Sequence, residues 1–271
     1  MAWVESGRGR DVVLVHGNPT WSFIWRRVIA ALDGERLHLL APDLLGCGRS
    51  SKPRAVAWHT LDRHASALAA WMEARGLVDP ILVVQDWGGP IGLLAASRAS
   101  SVRVAGVCLL NTAVVLPPSF RGTSFHRLAR VPLVAPVLFR GLGFPLHLLG
   151  GVQADRRSIS GDVARAYRWP FRSWADRAAP LGLTRMVPGS AEHPSVPHLR
   201  RVDGWIRAFP GPVELVWGRK DPILGRVLRR HSRELPRARV TETDAGHFLQ
   251  EEVPEIIARS IRRLAGMQEA P

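Results

Sequence analysis

At 271 residues, with 46% hydrophobic and 22% charged residues, the chain has room for one large domain with an inserted lobe or for two small domains, and its composition excludes a disordered or fibrous protein. The formal charge of +14 rests almost wholly on arginines scattered along the chain. Without a basic run or an aromatic–basic module, they read as a solvated surface rather than a specific nucleic-acid site.

Cys47 and Cys108, the two cysteines, support neither a disulfide framework nor a cysteine-rich metal site, so a reducing, cytoplasmic setting is expected. The N-terminus, MAWVESGRGR, lacks the apolar core of a secretory signal. Arg140 interrupts the longest apolar stretch, VPLVAPVLFRGLGFPLHLLGG, so no membrane span is expected.

In chain order, DVVLVHG (11–17) is a short β-branched run ending in Gly, WSFIWRRVIAAL (21–32) has helical spacing, and LHLLAPD (37–43) is strand-like. HTLDRHASALAAWMEARGL (59–77) is amphipathic, with Thr60 and Asp62 as caps and Gly76 as its close. ILVVQD (81–86) predicts a strand, PIGLLAASRAS (90–100) a helix and VAGVCLLN (104–111) another strand. Strands alternating with helices imply βαβ units and a parallel sheet covered on both faces.

The alternation fails from Val114 to about Phe209, a stretch rich in Pro, Gly and Arg. It resumes with VELVWG (213–218), a helix through VLRRHSREL (227–235), ARVTETDAGH (238–247) and a terminal helix, EIIARSIRRLA (255–265). The expectation is an α/β core of residues 1–113 and 209–271 carrying a helical lobe over 114–208. No internal repeat or low-complexity tract is apparent.

LVVQDWGGPIGLL (82–94) concentrates the chemistry. Strand, sharp turn and helix with Asp86 at the tip is the geometry of a nucleophile elbow, with Gly88 two residues later and Val84 where a first Gly usually stands. The small Gly88 and Gly89 let strand and helix approach closely, and the Trp87 N–H can face a developing oxyanion. Asp is also a favoured helix cap, so the stretch alone leaves both readings open.

His247, after the last strand, reaches the same sheet edge and can act as a base. Asp221, in VWGRKDPILG, would orient it; Asp244 is the competing acid and fits a turn-stabilising role better. The order nucleophile, acid, histidine is that of α/β hydrolases. No metal-binding spacing appears. In VLVHGNPTWSFIW, the Asn18 N–H is placed to be a second oxyanion donor, although a residue before Pro19 is often only a turn residue. An aspartate can displace a leaving group from saturated carbon, become an alkyl ester, and be freed by water activated by histidine. For a halide leaving group, the Trp87 indole and the Asn18 amide are suitable donors.

The segments HGNPTWSFIWR, APDLLGCGRSSKP, VVQDWGGPIGL, VWGRKDPILG and DAGHFLQEEVPE, in this order, resemble the haloalkane dehalogenases of the α/β-hydrolase superfamily. The resemblance implies an α/β-hydrolase fold: a mostly parallel sheet, helices on both faces, and an inserted helical cap. It implies hydrolysis of a small halogenated hydrocarbon by water, releasing a halide ion, with no cofactor or metal. It also implies Asp86 as nucleophile, His247 as base, and Asn18 with Trp87 as halide-binding pair. Some members carry a Glu after the strand that here ends LLNTAVV; this chain has Asn111 there, which leaves Asp221 as the acid. That combination resembles the family's third subgroup.

Some features depart from the family. Only some fifteen residues precede HGNP, which predicts a missing first edge strand and an open edge that promotes self-association. The lobe matches the cap only through YRWPFRSW (167–174) and the MVP at 186–188, and Trp169 or Trp174 is an alternative second halide donor. Residues 131–151 are expected to line an access tunnel and pack on the core, with membrane attachment as the lesser alternative. The alternatives are an epoxide hydrolase, opposed by the single tyrosine Tyr167; a haloacetate dehalogenase using cap arginines; and a non-catalytic ligand-binding member, opposed by the complete triad.

Overall fold

Seven strands make one sheet in the computed structural model, which describes residues 1–120 and 122–267. They are β1 (Trp3–Gly7), β2 (Arg10–Val15), β3 (Leu37–Pro42), β4 (Ile81–Gln85), β5 (Gly106–Leu110), β6 (Val213–Gly218) and β7 (Arg239–Thr243). Their spatial order is β1-β3-β2-β4-β5-β6-β7, with β1 antiparallel to β3 and every other pairing parallel. The residues ahead of HGNP therefore do contribute an edge strand, contrary to the expectation of a bare edge. WVESG is too short and too polar to announce itself by periodicity, and it is held by pairing from Trp3↔Pro42 to Gly7↔His38.

The α/β core contains helices α1 (Arg26–Ala31), α2 (Leu61–Ala74) and α3 (Gly88–Ala96). Between β5 and β6 lie α4 (Ser124–Leu128), α5 (Val134–Pro136), α6 (Gly161–Arg168), α7 (Ala178–Arg185) and α8 (Val196–Ala208). The chain closes with α9 (Leu228–Glu234), α10 (Leu249–Glu252) and α11 (Pro254–Leu264). No strand lies between Leu110 and Val213 among the described residues, as the broken alternation predicts.

Strand periodicity builds two cores. Val12 and Leu14 pack with Val28 of α1 and Ile257 and Ile261 of α11. Their neighbours Val13 and Val15 turn to the other face, with Leu68 of α2, Ile91 of α3 and Val202 of α8. Each such fully buried side chain contributes about 1.5–3 kcal/mol. α2 begins as expected: the Thr60 hydroxyl accepts from the Arg63 N–H at 3.2 Å, and Gly76, at φ +68°, follows its end.

A buried ionic network ties the inserted segment to the core. The Arg26 guanidinium donates to both oxygens of Glu251, at 2.6 and 2.7 Å, and the Tyr167 hydroxyl donates to the same carboxylate at 2.5 Å. The Glu251 side chain is fully buried while Arg26 keeps 30% exposure. Removing the carboxylate strands one guanidinium and one hydroxyl. Glu251→Ala is expected to lower the unfolding free energy by about 3 kcal/mol, read as a drop in the urea midpoint at unchanged slope.

Candidate active site

Sheet order assembles the site. β2 and β4 are neighbours, and their register pairs Val15 with Val84, so the turns at Gly17-Asn18 and at Asp86 meet beyond the strand ends. β6 and β7 are neighbours too, which brings the loops carrying Asp221 and His247 together. β5 lies between the two pairs, and Asn111 at its end joins them. Its amide donates to the Gly246 carbonyl at 3.0 Å, and its side-chain oxygen accepts from the Gly218 N–H at 2.9 Å.

The Asp86 backbone sits at φ 49°, a conformation rare for a non-glycine residue. It is held there by a 3.2 Å bond from its N–H to the Asn111 carbonyl, and its own carbonyl accepts from Thr112 Oγ1 at 2.6 Å. The turn needs its glycines: a Cβ on Gly88 would stand 2.2 Å from the Val15 carbonyl oxygen, and one on Gly89 2.0 Å from Thr112 Oγ1. Val84 replaces the usual first Gly because Gly92 faces it, where an added Cβ would be 3.0 Å from Val84 Cγ1.

The Asp86 carboxylate accepts the Asn18 N–H on Oδ1 at 2.8 Å and a second bond from the Trp87 N–H. Burial raises its pKa; the His247 charge and these two N–H groups oppose the rise without cancelling it. His247 Nε2 lies 3.9 Å from Asp86 Oδ2, and Nδ1 lies 2.9 Å from Asp221 Oδ2. The other Asp221 oxygen accepts the Ile223 N–H at 2.7 Å, so the acid is fixed at both ends. Burial works to lower the His247 pKa, but the Asp221 charge and hydrogen bond, with the Asp86 charge, outweigh it and leave the pKa above its ordinary value. Asp244 is exposed and paired with Arg219 at 2.6 Å, away from the histidine ring.

Asn18 has two parts with different fates. Its backbone N–H joins the site, but its side-chain amide donates to the Pro180 carbonyl and to Thr184 Oγ1 of α7, both at 3.2 Å, and its Oδ1 is buried without a partner. The Trp87 side chain is buried, at 8% exposure. Trp169 stacks on Trp21 at 5.8 Å and Trp174 lies under the Arg140 guanidinium, and both are about half exposed. No cluster of three or more His, Cys, Asp or Glu side chains is arranged to hold a metal among the described residues.

Gln85 escaped the sequence reading although it adjoins Asp86. Its amide nitrogen lies 3.3 Å from His247 Nε2 and 3.4 Å from the His247 carbonyl oxygen. An amide N–H facing Nε2 fits a neutral ring whose proton is on Nδ1, toward Asp221. The segment after residue 150 also grips the histidine loop. The His247 N–H donates to the Val152 carbonyl at 2.9 Å, and Gln153 accepts from the Phe248 N–H at 2.8 Å. No spacing rule connects residues nearly a hundred positions apart.

A carboxylate on a constrained turn, cradled by two N–H groups and faced by a carboxylate-backed imidazole, can attack carbon and then be freed by activated water. The sequence profile described as "Alpha/beta hydrolase family" matches residues 12–260, most of the chain. The chain belongs to the alpha/beta hydrolase family. A haloalkane dehalogenase of Mycobacterium marinum is 33% identical over 96% of this chain and 87% of its own length. A cis-3-alkyl-4-alkyloxetan-2-one decarboxylase of Shewanella oneidensis is 29% identical over 96% of this chain and 83% of its own. The crystal structure of the haloalkane dehalogenase DatA from Agrobacterium tumefaciens superposes with a TM-score of 0.85 at 29% identity, covering 98% of this chain and 92% of that one.

Gly17 offers a direct test of the geometry, because a Cβ there would stand 2.4 Å from Asp86 Cβ and 2.5 Å from Oδ1. Gly17→Ala is expected to displace the carboxylate and lower turnover by about 100-fold or more, as an ångström-scale misplacement does. Full activity in this variant, measured by substrate turnover, would contradict the close approach of the two turns.

Proposed function

We propose that the chain is a hydrolytic dehalogenase that converts haloalkanes to alcohol and halide through an aspartyl alkyl ester. The single observation behind this reading is the Asp86 carboxylate, bound on Oδ1 by the Asn18 N–H and faced at 3.9 Å by a His247 that Asp221 orients. Asp86 Oδ2 attacks the halogen-bearing carbon in line; the new C–O bond forms as the C–halogen bond breaks, and the halide leaves with the electron pair. Water then attacks Asp86 Cγ and gives a proton to His247 Nε2, which lies within one water molecule's span. The oxyanion forms on Oδ1, which already accepts the Asn18 N–H. Collapse expels the alkoxide, which takes the proton from His247; the Asp86 carboxylic acid left behind then loses its remaining proton through the neutral His247 to solvent, which restores the carboxylate.

The two steps change the base. Alkylation removes the Asp86 charge, one of the influences that raise the His247 pKa, so the imidazole becomes easier to hold neutral when the ester is to be hydrolysed. The lobe over 114–208 acts as the cap in this reading; its last helix, α8, also packs on α3. The Asn18–Trp87 pair with Asp221 supports a place in the third subgroup of the haloalkane dehalogenases. The Trp87 indole serves as one halide donor. For Asn18 to be the other, its amide must exchange Pro180 and Thr184 for the ion.

That engaged amide favours a second reading. A β-lactone, the substrate class named for the Shewanella relative, needs no halide donor, and the same Asp86, His247 and Asp221 would act on its strained ring. An epoxide hydrolase is disfavoured, because Tyr167 donates to Glu251 and supplies no free hydroxyl for an epoxide oxygen.

Short 1-bromoalkanes separate these readings. Bromide release is expected, with His247→Phe stopping at a stable adduct that adds one alkyl group to the protein mass. No bromide from a bromoalkane panel, together with alkene and carbon dioxide from a dialkyl β-lactone, would establish the second reading instead. The pH profile provides an independent check. Because the Asp221 charge raises the His247 pKa and activity needs the neutral ring, Asp221→Asn is expected to move the acid limb to lower pH. The same variant should lose about 100-fold or more in kcat; an unmoved acid limb would exclude His247 as the titrating base.

A further inference from the structure

The apolar stretch beginning at Val131 does not simply line a tunnel and pack on the core, as its sequence predicts. It divides into two faces. Ala135 and Phe139 turn inward to join Ala129 and Leu181 in a small buried cluster. The opposite face is equally apolar yet open: Leu133 is 85% exposed, Leu142 66%, Val137 56%, and Val134 48%. A surface helix ordinarily turns mostly polar side chains outward; α5 and the π-helical turn that continues it (Val137–Gly141) turn out aliphatic ones, with Arg140 as the one charged residue.

Trp174 extends this surface. Its ring lies 3.5 Å from where a Cβ on Gly141 would stand, Val137 Cγ1 lies 3.9 Å from the same point, and the Arg140 guanidinium sits 4.8 Å from the ring centre. Residues 122–154 contain Arg127, Arg130 and Arg140 and not one Asp or Glu. Around Trp174, Asp176 stands between Arg172 and Arg177, so the surface combines exposed aliphatic side chains, a half-exposed tryptophan and an excess of arginine, with the Arg140 guanidinium bonded to the Trp174 and Arg54 carbonyls rather than to a carboxylate.

We propose that this face docks on an anionic lipid surface, with Leu133, Val134, Val137, Leu142 and Trp174 entering the headgroup region and Arg140, over the Trp174 ring, meeting lipid phosphates. The occupant must be both apolar and negatively charged. A second copy of the chain satisfies the first condition only, because a two-fold contact through this face sets its excess of arginine against the same excess, with Asp176 as the one nearby acid in 122–177 apart from Asp155 and Asp162. No described helix is long and apolar enough to cross a membrane, so attachment is interfacial. The proposal is independent of the reaction assigned above.

The test is sedimentation of the whole chain with vesicles of phosphatidylglycerol and phosphatidylcholine, beside vesicles of phosphatidylcholine alone, at low salt. The protein is expected to pellet with the anionic vesicles and to stay in solution with the neutral ones. A triple variant, Leu133→Ser with Val137→Ser and Leu142→Ser, should bind the anionic vesicles about tenfold more weakly or less, with an unchanged circular dichroism spectrum. Leu133→Ser alone, at the most exposed position, should weaken binding severalfold. A parent protein that stays in solution with anionic vesicles would overturn the proposal. Equal binding by parent and triple variant would also overturn it, since arginine charge alone would then account for the attachment. A lipid-free dimer that the triple variant dissolves, with no vesicle binding by the parent, would assign the face to a second copy instead.

Discussion

The interaction on which the rest depends is the pair of N–H groups that receives the Asp86 carboxylate. A buried carboxylate on a left-handed backbone is unfavourable twice over, by about 1–3 kcal/mol of conformational strain and by several more of desolvation. The Asn18 and Trp87 N–H groups offset the second, and the Asn111 and Thr112 bonds to the Asp86 backbone fix the first. Neither set can form unless β2, β4 and α3 approach to backbone contact, which makes Gly17, Gly88 and Gly89 structural requirements rather than conveniences.

The sheet converts this local arrangement into a site. Its parallel order places one pair of turns from β2 and β4 beside another from β6 and β7, and β5 spaces them at the width of one strand. Asn111 then acts as a cross-tie, bonded at once to the end of β6 and to the loop before His247. In the sequence it mattered only as a position that lacked a glutamate. The fold gives it a positive reason: an amide donates and accepts at once, whereas an ionised carboxylate at this position would present two acceptors to the Gly246 carbonyl.

Most of the core was legible because its determinants are short-range. The alternating apolar runs announced six strands, the 3.6-residue spacing and Thr60 announced α2, and Gly88-Gly89 after Asp86 announced a tight strand-to-helix turn. The placement of Asp221 opposite His247 was accessible too, because it follows from strand order alone. The remainder depended on contacts without a sequence period. β1 is stabilised by pairing rather than by its own pattern, and Gln85 needed the position of a ring 162 residues away. The outward turn of Leu133 and Val137 could not be separated from the inward turn of Phe139, because a helix apolar on all sides carries no information about which side faces water.

The inserted segment is more than a cover, because it holds the site at three points. Tyr167 of α6 shares the Glu251 carboxylate with Arg26, Val152 and Gln153 bind the backbone on either side of the His247–Phe248 peptide, and Pro180 and Thr184 of α7 hold the Asn18 amide. The first of these contacts supports the join, the second positions the His247 loop, and the third sets the orientation of the amide nearest the Asp86 turn. A small rotation of α7 would therefore alter the direction of the Asn18 donors without disturbing the Asn18 N–H that binds Asp86 Oδ1. Two supports are thereby separated: the Asn18 N–H that binds the Asp86 carboxylate is fixed by the turn after β2, and the Asn18 side-chain amide is held by α7.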